Sequence, residues 1–299
     1  MLSKKLSAYL MLVLCSFFWS GNFIVGKYAS LFEVPPLTLN FLRWLIIWII
    51  LVPFTYKDIS KNLKNIKKYF YILIPISITG VSIFNSVVYY ALNFTQVING
   101  ALMISTIPVF IIFISFLFKT EKINISQIIG IILSFLGVII IITKFDLQKL
   151  IHLNINKGDF LLLIAMLSWA TYSTLLKTYK LPFKSLTFIQ IIVSIGLVFL
   201  LPQFLFELHS QITLPINLPV FFILSYVVLF AGLGAYLFWN SAVKIVGPNH
   251  AGIFLHLMPV FSSFMAIFFF HEIVMNFHII GALIIILGIY ISSRENFKI

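Results

Sequence analysis

Charge is scarce in this chain. Of its 299 residues, 9% are Asp, Glu, Lys or Arg and 61% are hydrophobic, with a mean hydropathy of +1.11. A soluble domain is roughly half apolar and about a quarter charged, so a soluble surface cannot be assembled from this composition and the bilayer must be the main solvent. Acidic residues number only 8, and none falls at the centre of an apolar run, which leaves a carboxylate proton relay with little support. Cysteine is almost missing: Cys15 stands alone, which excludes an internal disulfide and any cysteine-cluster metal site. No phosphate-cradling Gly-rich loop ending in Lys-Ser/Thr occurs, nor HExxH, nor GxSxG, nor a membrane-embedded Asp pair. ATP use and the common intramembrane hydrolases therefore lack their residues. No enzyme activity and no cofactor is expected.

What charge there is, is mostly basic. The net value of +12 raises nucleic acid as a partner, but the Lys and Arg lie in short patches between apolar runs and not on one polar face. They read as loops that orient a protein in a membrane, and no nucleic-acid partner is expected. Lys4-Lys5 followed by a long apolar run imitates a secretory signal peptide, yet the run is too long and too aromatic, and no small-x-small cleavage pattern follows. It is expected to remain in the mature fold.

A spanning helix needs about 20 mainly apolar residues, and only helices satisfy their own backbone in lipid. Ten such segments are expected, near 7–27, 37–55, 70–92, 97–118, 125–143, 159–177, 185–206, 219–240, 250–270 and 273–293. With the N-terminus in the cytoplasm, the patches at Lys4-Lys5, Lys57–Lys68, Lys119-Lys122, Lys177–Lys184, Lys244 and Arg294-Lys298 fall inside. Only Lys27, Lys144, Lys149 and Lys157 fall outside. The positive-inside rule thus places both termini in the cytoplasm, and the polar stretch 144–158 reads as an external linker between two halves.

The halves resemble each other. Trp19 precedes Lys27 by eight residues, as Trp169 precedes Lys177, and the two pairs are displaced by 150 positions. Displaced by 151, Pro108-Val109-Phe110 meets Pro259-Val260-Phe261, Glu121 meets Glu272, and Gly130 and Gly137 meet Gly281 and Gly288. Register at Trp, Pro, Gly, Glu and Lys is hard to obtain by chance between apolar runs. Each half carries five spans, an odd number, so the second enters the membrane in the opposite sense. The expected fold is an all-α integral membrane protein of ten transmembrane helices in two inverted five-helix repeats, 1–143 and 159–299, a plan whose binding site lies near the midplane between the halves.

These residues carry a resemblance. The Trp in the first helix of each half, the Pro-Val-Phe helices ending at Glu, Arg43 in span two and Gln190 near its equivalent in span seven resemble the EamA-type transporters of the drug/metabolite transporter superfamily. The resemblance covers nearly the whole chain. It implies an alternating-access carrier of small organic solutes, such as amino acids, related metabolites or drugs, in an inner or plasma membrane. It does not imply a particular substrate. Flipping of a lipid-linked substrate is the alternative within transport. A non-transporting scaffold or lipid-modifying enzyme is the alternative outside it. The oligomeric state is left open, a monomer included.

Candidate solute-binding residues follow from depth and face. Trp19 lies about 12 Å deeper than Lys27 at 1.5 Å per residue, too deep for an interfacial belt. Trp19, Asn22 and Phe23 share one helical face, and Trp169 and Tyr172 share the matching one. Asn85 and Tyr89 in span three answer to Tyr236 and Asn240 in span eight, the same two residue types exchanged. These side chains fit either a polar-aromatic cavity wall or interhelical packing. Pro108 and Pro259 break backbone bonding at matching places in spans four and nine, as a gate or a static bend. Arg43 is read either as a structural anchor that snorkels outward, with Glu33 a partner, or as a contact for a solute carboxylate. His256 is read either as a proton-binding group or as a neutral ring bonded to a carbonyl.

Overall fold

The computed structural model describes residues 3–91, 94–95, 97–146, 148–151, 156–209, 215, 217–270 and 273–293. Every element among them is a helix. The long ones are α1 (Lys4–Leu31), α2 (Pro36–Lys61), α3 (Phe70–Ala91), α4 (Val97–Ile104), α5 (Ile107–Leu117), α6 (Ile125–Thr143), α7 (Lys157–Thr178), α8 (Ser185–His209) and α9 (Leu218–Val246). They are followed by α10 (Pro248–Gly252), α11 (Leu257–Phe270) and α12 (Asn276–Ser293). Short helical turns at Leu63–Lys68 and Gln148–Ile151 lie in the connections. Of the expected linker 144–158, residues 147 and 152–155 lie outside the described residues.

Eight helices are long and apolar enough to cross a membrane: α2, α3, Gly100–Leu117, α6, α7, α8, α9 and α12. The other two expected spans coincide with α1, of 28 residues, and with the broken run of α10, a 3-10 turn at Ile253–His256, and α11. Two helices run six residues past their expected ends. α2 was expected to end at 55 and runs to Lys61, and α9 was expected to end at 240 and runs to Val246. Apolar content locates the lipid-facing part of a helix, whereas the backbone ladder continues into the polar interface for as long as its residues tolerate it.

The starts are set by capping. Asn124 accepts from the backbone of α6 and Gln127 reaches back to the Asn124 N–H, a reciprocal capping box. Asn156 and Asp159 do the same for α7, and Asn217 accepts from Val220 N–H at 3.0 Å to open α9. Pro108 and Pro259 mark interruptions: α4 and α5 are parted by a turn at Ser105-Thr106 just before Pro108, and the 3-10 turn precedes Pro259. Neither proline can donate to the ladder, and each ring crowds the carbonyl one turn earlier.

Helices pair along their length. α6 lies against α12, α2 against α8, α1 against α9 and α11, and α7 against α3 and α5. Glycine sets the first of these contacts. A Cβ on Gly137 would stand 2.7 Å from the Gly281 carbonyl oxygen, and one on Gly281 would stand 2.9 Å from the Gly137 carbonyl oxygen. Gly130 and Gly288 oppose each other's carbonyls in the same way. The backbones touch because no side chain intervenes. The α2–α8 pair is fastened at its ends. Glu207, near the end of α8, accepts from the Leu37 and Thr38 N–H groups at 3.2 and 2.6 Å, where the first turn of α2 leaves its donors unsatisfied. At the opposite end Asp58 accepts from the Thr187 hydroxyl at 2.7 Å.

One feature of the helices escaped the sequence reading. α3 widens into a π-turn over Ile78–Ile83, and α9 does so over Val227–Gly234. A π-turn holds one residue more than the α-helix would and leaves a carbonyl free to accept from elsewhere. Gly80 sits in the first, where a Cβ would run into the Tyr172 ring.

Candidate functional site

Both π-turns bond to one cluster of aromatic side chains, the turn of α9 through Trp19 and the turn of α3 through Tyr236. Trp19 from α1 and Trp169 from α7 meet edge to face, with centroids 5.0 Å apart and planes at 88°. Tyr236 lies 6.1 Å from Trp19 and 5.5 Å from Trp169, and Trp239 lies 5.5 and 5.6 Å from the same two rings. Trp44 closes on Tyr236 at 4.8 Å, and Tyr172 on Trp169 at 5.1 Å. Trp44, Trp169, Trp239, Tyr172 and Tyr236 are among the largest fully buried side chains, and Trp19 is 9% exposed. Edge-to-face pairs of this kind contribute about 0.5–1.5 kcal/mol each beyond the area they bury.

The carbonyls in the π-turns organise this cluster. The Ala231 carbonyl accepts from Trp19 Nε1 at 3.0 Å and from the Arg43 guanidinium at 2.8 Å. The Gly80 carbonyl accepts from the Tyr236 hydroxyl. The Thr79 carbonyl accepts from Ser168 at 2.9 Å. Around them run amide–phenol pairs. Asn22 donates to the Tyr89 hydroxyl at 3.4 Å, Tyr172 donates to Asn240 Oδ1 at 2.7 Å, and Asn85 donates to the Tyr236 hydroxyl at 3.4 Å.

Of the sequence-selected residues, Trp19, Asn85, Trp169, Tyr172, Tyr236, Asn240 and Arg43 thus join one connected centre, and Asn22 and Tyr89 bond to each other. The side chain of Phe23 lies outside the described residues. Arg43 does not snorkel outward: it is 1% exposed and turned inward, over the ring of Trp44 at 5.1 Å. Its head also donates to Asn85 Oδ1 at 3.4 Å. Among the described residues no carboxylate pairs with it, Glu33 included, and Glu33 is exposed.

His256 is held apart from this centre. Its Nε2 stands 2.9 Å from the Ser105 carbonyl oxygen and its Nδ1 2.6 Å from the Ser134 hydroxyl. A carbonyl can only accept, so Nε2 carries a proton, while the Ser134 hydroxyl beside Nδ1 also reaches the Ile131 carbonyl at 3.1 Å. The ring is bonded to a carbonyl, as the second of the two alternatives requires.

Trp44, Trp239 and the π-turns were not singled out from sequence. Trp44 is adjacent to Arg43, and Trp239 is three residues after Tyr236, on the same face. Gly80, Gly232 and Gly234 in mid-span were the available signal for a disturbed helix. Among the described residues no group of three or more His, Cys, Asp or Glu is placed to hold a metal ion. A separate cavity of about 580 Å³ opens on the flank between α1 and α9, lined by Val25, Phe32, Phe222, Ile223, Tyr226 and Phe230 among others.

Long apolar helices packed around a buried polar-aromatic centre define an integral membrane protein. The sequence matches the EamA-like transporter family over residues 6–143 and again over 156–294. The chain belongs to that family, one of membrane transporters. It is 25% identical to the uncharacterized transporter YyaM of Bacillus subtilis over 293 residues, covering 97% of this chain and 94% of the relative. It is 26% identical to an uncharacterized transporter of Archaeoglobus fulgidus, covering 96% and 97%. A WAT1-related protein of Arabidopsis thaliana is 22% identical, covering 96% and 84%. A solved crystal structure superposes with a TM-score of 0.77 over 96% of each chain at 14% identity, a likeness of fold.

Proposed function

We propose that this protein is a secondary transporter that carries a small organic solute across an inner or plasma membrane by alternating access. Its ten helical segments form two inverted five-helix repeats, 1–143 and 159–299, and both termini face the cytoplasm. The solute binds where the repeats meet, at Trp19, Asn22, Phe23, Arg43, Asn85, Tyr89, Trp169, Tyr172, Tyr236 and Asn240. His256 supports the helix break beside this site.

The observation that carries the reading is the reciprocity of the centre. Asn22–Tyr89 and Tyr172–Asn240 are the same amide–phenol pair, displaced by the repeat with donor and acceptor types exchanged. The packing agrees: α1 on α9 answers to α7 on α3, α1 on α11 answers to α7 on α5, and α6 pairs with its own counterpart α12. A scaffold has no use for an internal twofold. A carrier does, because exchanging the conformations of two equivalent halves exchanges the open side.

The test is uptake into proteoliposomes with a labelled panel of amino acids, aromatic amines, aromatic acids, nucleosides and sugars. Saturable transport of at least one member, reduced by Trp19→Phe or Trp169→Phe, is the expected result. Absence of transport for the whole panel by folded protein would refute it. The flank cavity favours the second reading, passage of a lipid-linked substrate, because its apolar wall suits an acyl chain. Scrambling of a fluorescent lipid, with no uptake of soluble solutes, would select that reading instead.

A further inference from the structure

We propose that Arg43 is the anion subsite of the transported solute, which therefore bears a single carboxylate beside an aromatic or apolar body. This rests on the transport reading above and assigns the chemical class of what that site takes.

Arg43 presents five N–H groups and no acceptor. Two are used, on the Ala231 carbonyl and on Asn85, and Nε has no partner. Two further indole donors in the same cluster are also buried without a partner, Trp44 Nε1 and Trp169 Nε1. All three surround Tyr236: the Arg43 guanidinium is 6.0 Å from its ring, Trp44 is 4.8 Å away and Trp169 is 5.5 Å away. None of these groups can accept a hydrogen bond. The amides nearby, Asn22 and Asn240, each keep one buried polar atom unpaired, and an amide can turn either end towards a ligand.

Buried polar groups are ordinarily satisfied. Here a surplus of obligate donors collects among side chains drawn from both halves of the chain. That pattern is complementary to a group made of acceptors, and a carboxylate is the compact organic form of one. It also supplies the charge that the guanidinium lacks among the described residues. The backbone leaves Nε open on one side, since a Cβ on Gly232 would stand 3.2 Å from it and glycine provides none.

The subsite has one charge to offer. Arg43 is the only Lys or Arg among the buried described residues, so a di- or triphosphate would enter with excess negative charge uncompensated. A cation would meet like charge. The rings of Trp19, Trp169 and Trp239 suit a flat apolar body.

Three probes of one shape separate the outcomes: 3-phenylpropionate, its amide and 3-phenylpropylamine, an anion, a neutral isostere and a cation. Binding to the full-length protein in lipid nanodiscs is measured by calorimetry and by thermal stabilisation. The anion is expected to bind, the amide to bind roughly tenfold to a hundredfold more weakly, and the amine to show no binding. Arg43→Gln should weaken the anion far more than the amide and so remove most of the preference between them, while Arg43→Lys keeps part of it. No binding of 3-phenylpropionate overturns the proposal, as does equal binding of anion and amide by the unaltered protein. If Arg43→Gln fails to fold, the wild-type comparison of anion with amide still decides. Anion-selective binding without any transport would keep the subsite and sink the transport reading. Transport of cationic or uncharged solutes only would do the reverse.

Discussion

Replacing Gly137 with alanine should loosen the α6–α12 pair, and its cost can be worked from the backbone. The new Cβ would begin 2.7 Å from the Gly281 carbonyl oxygen, against the 3.4 Å at which ordinary contact starts. The obstructing atom belongs to a helix backbone and cannot swing aside, so the helices must part by about the difference, ~0.7 Å. A gap of that size forfeits a quarter to a half of the dispersion attraction across the contact, and overpacking of this kind costs about 1–3 kcal/mol. Alanine returns up to ~1 kcal/mol as the better helix former. The net expectation is a loss of about 1–2 kcal/mol. Gly281→Ala opposes the reciprocal carbonyl at 2.9 Å and should cost a similar amount. One separation accommodates both methyls, so the double variant should be less destabilised than the sum, by at least ~0.5 kcal/mol. Thermal unfolding of purified protein in detergent, read by tryptophan fluorescence, measures all three. A Gly137→Ala protein as stable as wild type, or strictly additive behaviour, would refute the close-approach argument.

Other expectations are as direct. Trp19→Phe should cost about 0.5–1.5 kcal/mol more stability than Trp169→Phe, because only the Trp19 indole holds a partner, the Ala231 carbonyl; equal unfolding midpoints would contradict this. Glu207→Gln should destabilise the protein by about 1–3 kcal/mol, since a charged acceptor on two helix-start N–H groups is replaced by a neutral one, and Glu207→Ala should cost more. Glu121, in the loop after α5, accepts from the Asn249 N–H at 3.1 Å, and burial raises its pKa above the usual 4.5. The folded protein therefore holds that proton more tightly than the unfolded chain, so this site favours folding most at low pH and progressively less as pH rises through the raised value. Measured across that range, the melting difference between wild type and Glu121→Gln should move in favour of wild type as pH is lowered, and the opposite slope would contradict the burial.

The helices and their order were legible because lipid imposes a single solution on long apolar runs. The ends at Lys61 and Val246 were not, because hydropathy marks the membrane and not the ladder. Depth and repeat register single out side chains that the structure places near one another, as Asn85 with Tyr236 shows. Their degree of enclosure was not legible, since the same sequence face serves a cavity wall or a packed seam. Arg43 illustrates the limit: one turn of side-chain direction separates snorkelling from burial, and the deciding acceptor, Ala231, lies 188 residues away. The π-turns left only mid-span glycines as their trace, and glycine has many other uses.

Each π-turn is also a phase shift. One added residue turns everything beyond it by about 100° around the helix axis. In α3 this aims Asn85 at the centre, and in α9 it aims Tyr236 and Asn240 there. Removing a single residue from either turn would therefore act at a distance. It would spare every side chain named in the centre, yet rotate one bank of them towards lipid, so a deletion at Gly232 is a change of aim and not a loss of parts.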